Sequence, residues 1–226
     1  MAEDNKTTKV VDNLTAVHSK LQIMDEVDRE NYTRVSTILE YFAEPELVAW
    51  MIRKGKEANK FKKQAMKIGT DVDESIKNFV VSGSYSKVKT VEAKSCLEAF
   101  KRWYDDYKPH LTVGKRLYYD PYQITGEPDL YWGNRIIDIK CASAIRLKYY
   151  LQTAAYSFMA GESRSTGILR LHKHLEDYEY VERNDVEVDD DIETFLYLLK
   201  VFRYFAKPLL AEKRVEHADS PATETF

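Results

Sequence analysis

The spacing of apolar residues is helical through the first half of the chain and first turns extended after Pro109. Residues 1–13 are polar and aperiodic and are expected to form a mobile tail. Leu14, Val17, Leu21, Met24 and Val27 then fit a short amphipathic helix. In YTRVSTILEYF, Ser36 or Thr37 is placed to open a helix carrying Ile38, Leu39 and Phe42, and Pro45 suits the first turn of the next. A helix is predicted to start after Gly69-Thr70, burying Val72, Ile76 and Phe79 with Asp73 beside them. SGSYSK at 82–87 reads as a loop, and 91–107 is again helical through Cys96, Leu97, Phe100, Trp103 and Tyr104.

After Pro109 three strands are predicted, LTVGKRLYY, YQITGEPDL and NRIIDIK, broken by turn chemistry at Asp120-Pro121 and Gly133-Asn134. Short connections make them antiparallel neighbours. A helix from about Ile145 to Ala160 is capped by Gly161. STGILRLHK and DYEYVER add two strands, and residues 190–210 form a closing helix with Asp189, Asp190, Asp191 and Glu193 at its start, where negative charge suits the dipole. No internal repeat is present. The order predicts an α/β (or α+β) core with a helical N-terminal layer, as one domain over 14–210: helical layer 14–107, core 111–210, flexible tail 211–226.

Composition narrows the class. With 226 residues, 44% hydrophobic and 12% aromatic, the chain builds a substantial core. A net charge of -3 argues against coating nucleic acid by bulk positive charge, but leaves room for a local basic groove. Cys96 and Cys141 are too few for a disulfide scaffold, a four-thiolate zinc site or a cysteine-ligated iron–sulfur cluster, so a reducing, intracellular setting is expected. The N-terminus has neither a signal-peptide nor a transit-peptide pattern, and no apolar run reaches membrane-spanning length; a soluble protein is expected.

The chemistry concentrates in residues 126–156. Asp129 and Asp138 lie on adjacent predicted strands, and Lys140, two positions after Asp138, shares its face. Gln152 and Tyr156, four apart, share a helix face. Hard divalent cations such as magnesium take carboxylate oxygens, water and substrate phosphate, and Asp129, Asp138 and the Ile139 carbonyl could supply the protein's share. Lys140 could orient an attacking water or stabilise developing phosphoryl charge. The layout suggests a metal-dependent phosphodiesterase. The plainer alternatives are a turn residue at Asp129 and a surface cross-strand pair at Asp138 and Lys140. Ile136, Ile137 and Ile139 surround Asp138, however, and an acid among them needs a partner. Gln152 and Tyr156 could equally be helix-packing residues, and Asp73 a helix acid serving the dipole.

Pro128-Asp129 followed by Asp138-Ile139-Lys140 resembles the PD-(D/E)XK nuclease superfamily. Gln152-Thr153-Ala154-Ala155-Tyr156 resembles the QxxxY motif of its RecB-like, phage-type exonuclease branch, and Gly69-Thr70-Asp71-Val72-Asp73 its GTxxH motif. The likeness spans roughly residues 32–205. It implies a restriction-endonuclease-like core with a mixed central sheet flanked by helices. Asp129 and Asp138 would be metal ligands, Lys140 the catalytic lysine, and Gln152 and Tyr156 would shape the site or meet DNA. Asp73 stands where the branch has histidine; a carboxylate there would also ligate Mg2+ or Mn2+, with Glu74 the alternative in another helix phase. Where the family often has a glutamate on its first core strand, this chain has Val113-Gly114.

The activity implied is that of a Mg2+- or Mn2+-dependent DNA nuclease, an exonuclease on ends or single strands in replication, recombination or repair, in the cytoplasm of a bacterial or phage-infected cell. A structure-specific endonuclease or nickase of this fold, and a non-catalytic DNA-binding recombination scaffold, are the alternatives. From Arg53 to Lys67 run seven basic residues and one acid, Glu57. By default such a run is a solvated helix face; bordering the acids, Lys54, Lys56, Lys60 and Lys63, joined by Arg146 and Lys148, would neutralise DNA phosphates. Tyr85 could stack on a base, His172 and His174 read as structural or exposed, and Cys141 as a small core residue.

Overall fold

Beyond Pro109 the chain is extended, as predicted, but its strands divide between two sheets. The computed structural model describes residues 32–42, 45–161 and 165–218. The tail expected at 1–13, the helix expected at 14–27 and residues 219–226 lie outside them. In chain order the elements are β1 (Thr33–Arg34), α1 (Val35–Tyr41), α2 (Pro45–Lys54), a 3-10 turn (Gly55–Glu57), α3 (Ala58–Ser82), α4 (Val91–Tyr107), β2 (Leu111–Val113), β3 (Leu117–Tyr119), β4 (Ile124–Gly126), β5 (Leu130–Trp132), β6 (Arg135–Lys140), α5 (Leu147–Ala160), β7 (Thr166–Leu171), β8 (Tyr178–Arg183) and α6 (Asp185–Ala218). Among the described residues no helix is long and apolar enough to cross a membrane.

The main sheet has the order β2-β5-β6-β7-β8 and is mixed: β6 and β7 run parallel, and its other pairs are antiparallel. The small sheet, β1-β4-β3, is mixed as well. This is the expected α/β architecture with helices flanking a mixed sheet. The first two predicted strands, however, each break in two. LTVGKRLYY becomes β2 in the main sheet and β3 in the small one; YQITGEPDL becomes β4 in the small sheet and β5 in the main one. Both breaks fall at one crossing point. Gly114 N–H donates to the Asp129 carbonyl at 3.0 Å. A Cβ on Gly114 would lie 1.9 Å from the Pro128 carbonyl oxygen, so only glycine admits this approach.

Two further expectations are corrected. The helix predicted to begin at Gly69-Thr70 is already eleven residues old there, because α3 starts at Ala58. Its buried stripe, Ile68, Val72 and Ile76, begins late, and the preceding turns are exposed apart from Ala58. Those turns are built from good helix formers, which apolar periodicity does not register. The closing helix starts at Asp185 rather than near Asp189. Asn184 Oδ1 accepts from Glu187 N–H at 3.1 Å, and Glu187 Oε2 accepts from Asn184 N–H at 3.0 Å, a reciprocal cap. The helix continues to Ala218.

The main sheet separates two cores. On one face α3 and α4 pack Ile68, Val72, Ile76, Phe100 and Trp103 against Leu130, Ile137, Ile139, Leu169 and Leu171. On the other, α1, α5 and α6 pack Val35, Ile38, Tyr156, Met159 and Phe195 against Ile136 and the small sheet's Tyr119 and Ile124. Tyr85, read as a candidate base-stacking residue, belongs to the first core: its ring stacks on Phe79 at 4.3 Å between centroids, and Lys101 lies over it. Cys141 is half-buried against the same core.

Candidate active site

Alternation along β6 decides which side chains reach which face. Ile137 and Ile139 enter the α3–α4 core, so Asp138 and Lys140 project toward α5. The pairing of Leu130 with Ile137 places Asp129, one residue before β5, beside Asp138. Asp129 extends the ladder with its side chain: Oδ2 accepts from the Ile139 N–H at 2.7 Å. Ile139, expected to contribute its carbonyl, is thus tied to the site through its amide.

Lys140 Nζ donates to Asp138 Oδ1 at 2.9 Å and lies 2.7 Å from Oδ2. Oδ2 nevertheless has no partner of hydrogen-bond geometry, although Asp138 is buried. Tyr149 of α5 places its ring 5.1 Å from the Lys140 ammonium, a cation–π contact. Five residues beyond the apolar stripe's start at Ile68, α3 brings Asp73 to the same acids. Lys77 Nζ holds Asp73 Oδ2 at 2.9 Å, and Asp73 Oδ1 is buried without a donor. Lys77 also lies 3.8 Å from Glu127, which Arg116 holds at 2.9 Å. Glu74, the alternative to Asp73, is exposed.

On α5, Gln152 Nε2 donates to the Tyr156 hydroxyl at 2.8 Å. The Tyr156 ring rests on Gly126: a Cβ there would lie 2.3 Å from Tyr156 Cε1. Glycine two residues before Pro128 therefore makes room for a tyrosine thirty residues later. Burial pushes the Tyr156 hydroxyl up to about 12, with Asp138 adding to the shift.

The electrostatics describe one coupled group. Burial, reinforced by Asp129 and Asp73 and opposed by Lys140, pushes Asp138 up to about 7. Burial and Asp129 raise Asp73 against the pull of Lys77. Burial disfavours the Lys140 charge, but Asp138 and Asp129 outweigh it and hold the ammonium above its ordinary value. The shifts of Asp138 and Lys140 look contradictory for an ion pair. They agree once the three acids Asp73, Asp129 and Asp138 are set against Lys77 and Lys140 together: the Lys140 ammonium keeps its proton, and the cluster relieves repulsion by protonating a carboxyl.

The structure thus gathers Asp73, Asp129, Asp138, Lys140, Gln152 and Tyr156 from α3, the residue before β5, β6 and α5. Lys77, Glu127, Arg116 and Tyr149 join them without having been singled out from sequence. For Lys77 the signal was the i, i+4 spacing from Asp73. The basic candidates stand apart from this network: Lys54, Lys56, Lys60 and Lys63 are exposed on α2, the 3-10 turn and the start of α3. Helix phase puts Lys62, eleven residues before Asp73, nearest the acids' side, about 16 Å away along the axis. Arg146 precedes α5, and Lys148 lies 5.9 Å from the Tyr149 ring centre. His172 Nδ1 lies 3.4 Å from Arg170, a structural contact.

Among the described residues no three His, Cys, Asp or Glu side chains are gathered closely enough to hold a metal ion. The donor set still suits a hard cation: three carboxylates, two with buried oxygens that no donor satisfies.

No family model and no curated protein matches the chain. An alkaline exonuclease from Laribacter hongkongensis aligns over 80% of this chain and 94% of its own at 12% identity, with a TM-score of 0.38. A phage-related exonuclease from Haemophilus somnus 129PT aligns over 79% and 96% at 16% identity, with a TM-score of 0.40. Likenesses of this degree transfer neither activity nor substrate to this chain.

Proposed function

We propose that this protein is a metal-dependent nuclease hydrolysing phosphodiester bonds in DNA, as an exonuclease on ends or single strands. One observation carries the reading: Asp73, Asp129 and Asp138, from three separate parts of the chain, converge beside Lys77 and Lys140, and Asp73 Oδ1 and Asp138 Oδ2 stay buried without a hydrogen bond of good geometry. Asp129, Asp138 and Asp73, with the Ile139 carbonyl, would hold Mg2+ or Mn2+. Such a cation, when bound, polarises a phosphoryl oxygen and lowers the pKa of water.

Lys140 keeps its proton, as the surrounding acids require, and presents a positive charge where phosphoryl charge develops. Tyr149 and Asp138 limit the ammonium's freedom, so little reorganisation is needed during reaction. Gln152 and Tyr156 brace each other at the α5 wall and shape the space over Asp138. The exposed lysines of α2 and α3 would neutralise backbone phosphates, making binding strongly salt-dependent. The preference for ends rests on the motif resemblance.

The test is digestion of end-labelled linear and covalently closed circular DNA with Mg2+, Mn2+ or chelator. Cleavage of linear but not circular DNA is expected, and only with metal. Circular cleavage would assign an endonuclease. The scaffold alternative draws support from Lys77 and Lys140, which already neutralise two of the acids. Binding without cleavage under every metal would establish it.

A further inference from the structure

Across β6, β7 and β8 one row of paired positions reads Lys140, Arg170, Glu179. Paired residues project to one sheet face, so Arg170 lies on the face of Asp138 and Lys140. Two cations side by side in a sheet repel. Here each has its own acid: Lys140 has Asp138, and Arg170 Nε donates to Glu179 Oε2 at 2.6 Å. The Arg170 side chain is only 10% exposed, a costly place for a charge used merely as a surface pair.

Besides the contact with His172, one further contact explains the placement. Arg170 Nη1 donates to the Ser143 carbonyl at 3.2 Å. Ser143 is in residues 141–146, the irregular segment between the end of β6 and the start of α5. Lys140 ends the strand on one side. On the other, α5 supplies Tyr149 against the lysine and the Gln152–Tyr156 pair. The segment sets how α5 sits over the acids, and its carbonyl is anchored by a guanidinium fixed to β8.

We propose that Arg170 is a positioning residue, which pins residues 141–146 to the sheet and thereby holds Lys140 and α5 in working register. Its effect on turnover rests on the nuclease reading; its effect on the segment does not. Lysine keeps the charge but cannot span Glu179 and the Ser143 carbonyl together, since it lacks the planar fork.

Two measurements on the full chain test this. Arg170→Gln and Arg170→Lys are compared with Arg135→Gln, which breaks the 2.7 Å Arg135–Glu182 pair that joins β6 to β8 across β7. Amide hydrogen exchange over 141–147 should quicken about tenfold or more in both Arg170 variants and not in Arg135→Gln. In DNA digestion, kcat should fall about 10- to 100-fold with KM held within about twofold, because the loss is of alignment rather than of substrate contact. Unchanged exchange over 141–147 overturns the proposal, as does wild-type kcat, or a loss of turnover that merely follows the fraction folded. If the wild-type protein cuts no DNA under any metal, the nuclease reading fails and the exchange measurement alone decides the role of Arg170.

Discussion

The two faces of β6 are built to different ends. Toward α3 and α4 the strand presents Ile137 and Ile139 to a dry core that includes Phe100 and Trp103, with Trp103 touching Trp132 and Tyr180 edge-on. Toward α5 it presents Asp138 and Lys140, a buried carboxylate paired with a lysine that stays partly exposed. Burial of an aliphatic side chain contributes roughly 1.5–3 kcal/mol. Burial of an ion pair is close to neutral at best, and leaving one partner alone is strongly unfavourable. One face therefore supplies stability and the other spends it, which is the arrangement expected where charge must act at a partly buried site.

Substitutions on the two faces should separate these roles. Asp138→Ala and Lys140→Ala are expected to lower DNA cleavage by about a thousandfold or more, with circular dichroism unchanged. Trp103→Ala should cost about 3–5 kcal/mol in urea unfolding while the molecules still folded cleave at the normal rate. Normal cleavage by either site variant would remove the site assignment. A Trp103 variant that is fully stable yet inactive would show that the faces are not independent.

The pH dependence sharpens the contrast, because it isolates the strain on the charged face. Asp138 titrates near 7 when folded and near 3.8 when unfolded, so between those values the native state binds more protons. Its contribution therefore disfavours the native state progressively as pH rises from about 4 to 7, by up to about 4 kcal/mol for a shift of this size. In chelator, the wild type should lose stability across that window, and Asp138→Asn should lose much less. Parallel stability curves for the two proteins would mean that Asp138 is not strained.

Much of this was legible in the chain. The change of period at Pro109 and the helix at 91–107 follow from apolar spacing alone, and the ordered motifs brought Asp129, Asp138, Lys140, Gln152 and Tyr156 into one neighbourhood. The misses share a physical cause: they depend on what lies across space. Apolar periodicity cannot see the solvated start of α3, where the residues favour helix without burying anything. Nor does it see that LTVGKRLYY and YQITGEPDL break together, since that follows from the Gly114–Pro128 crossing. Lys77 and Arg170 look like ordinary surface charges until Asp73 and Ser143 appear beside them.

Gly126 tests whether the α5 wall belongs to the charged face as a working part. Gly126→Ala forces a Cβ to within 2.3 Å of the Tyr156 ring, so the ring must move. The overpacking should cost about 1–3 kcal/mol and lower kcat about tenfold or more. Adding Tyr156→Ala removes the clash and should return part of the stability without returning activity. If the double variant recovered both, Tyr156 would be packing alone, and the charged face would end at Lys140.

The smallest effect is expected where neither face is touched. Asn184 and Glu187 cap α6 at its first turn, and Arg183 also reaches Glu187, at 2.9 Å. Asn184→Ala should cost about 1 kcal/mol at neutral pH with turnover unchanged. The Glu187 half of the cap carries its own pH signature. The Asn184 amide, followed by Arg183, holds this carboxyl below its ordinary 4.5, so its contribution is present above that value and is lost as pH falls through the lower folded one. Glu187→Gln should therefore match the wild type in acid, fall progressively behind as pH rises through the lowered folded value toward 4.5, and show a constant deficit above it, the opposite sense to the strain at Asp138. Urea unfolding of both variants from acid to neutral pH reads the two slopes. A Glu187→Gln deficit that persisted unchanged in acid would mean that the residue acts by packing, and that acid and neutral stability are not governed by separate parts of the fold.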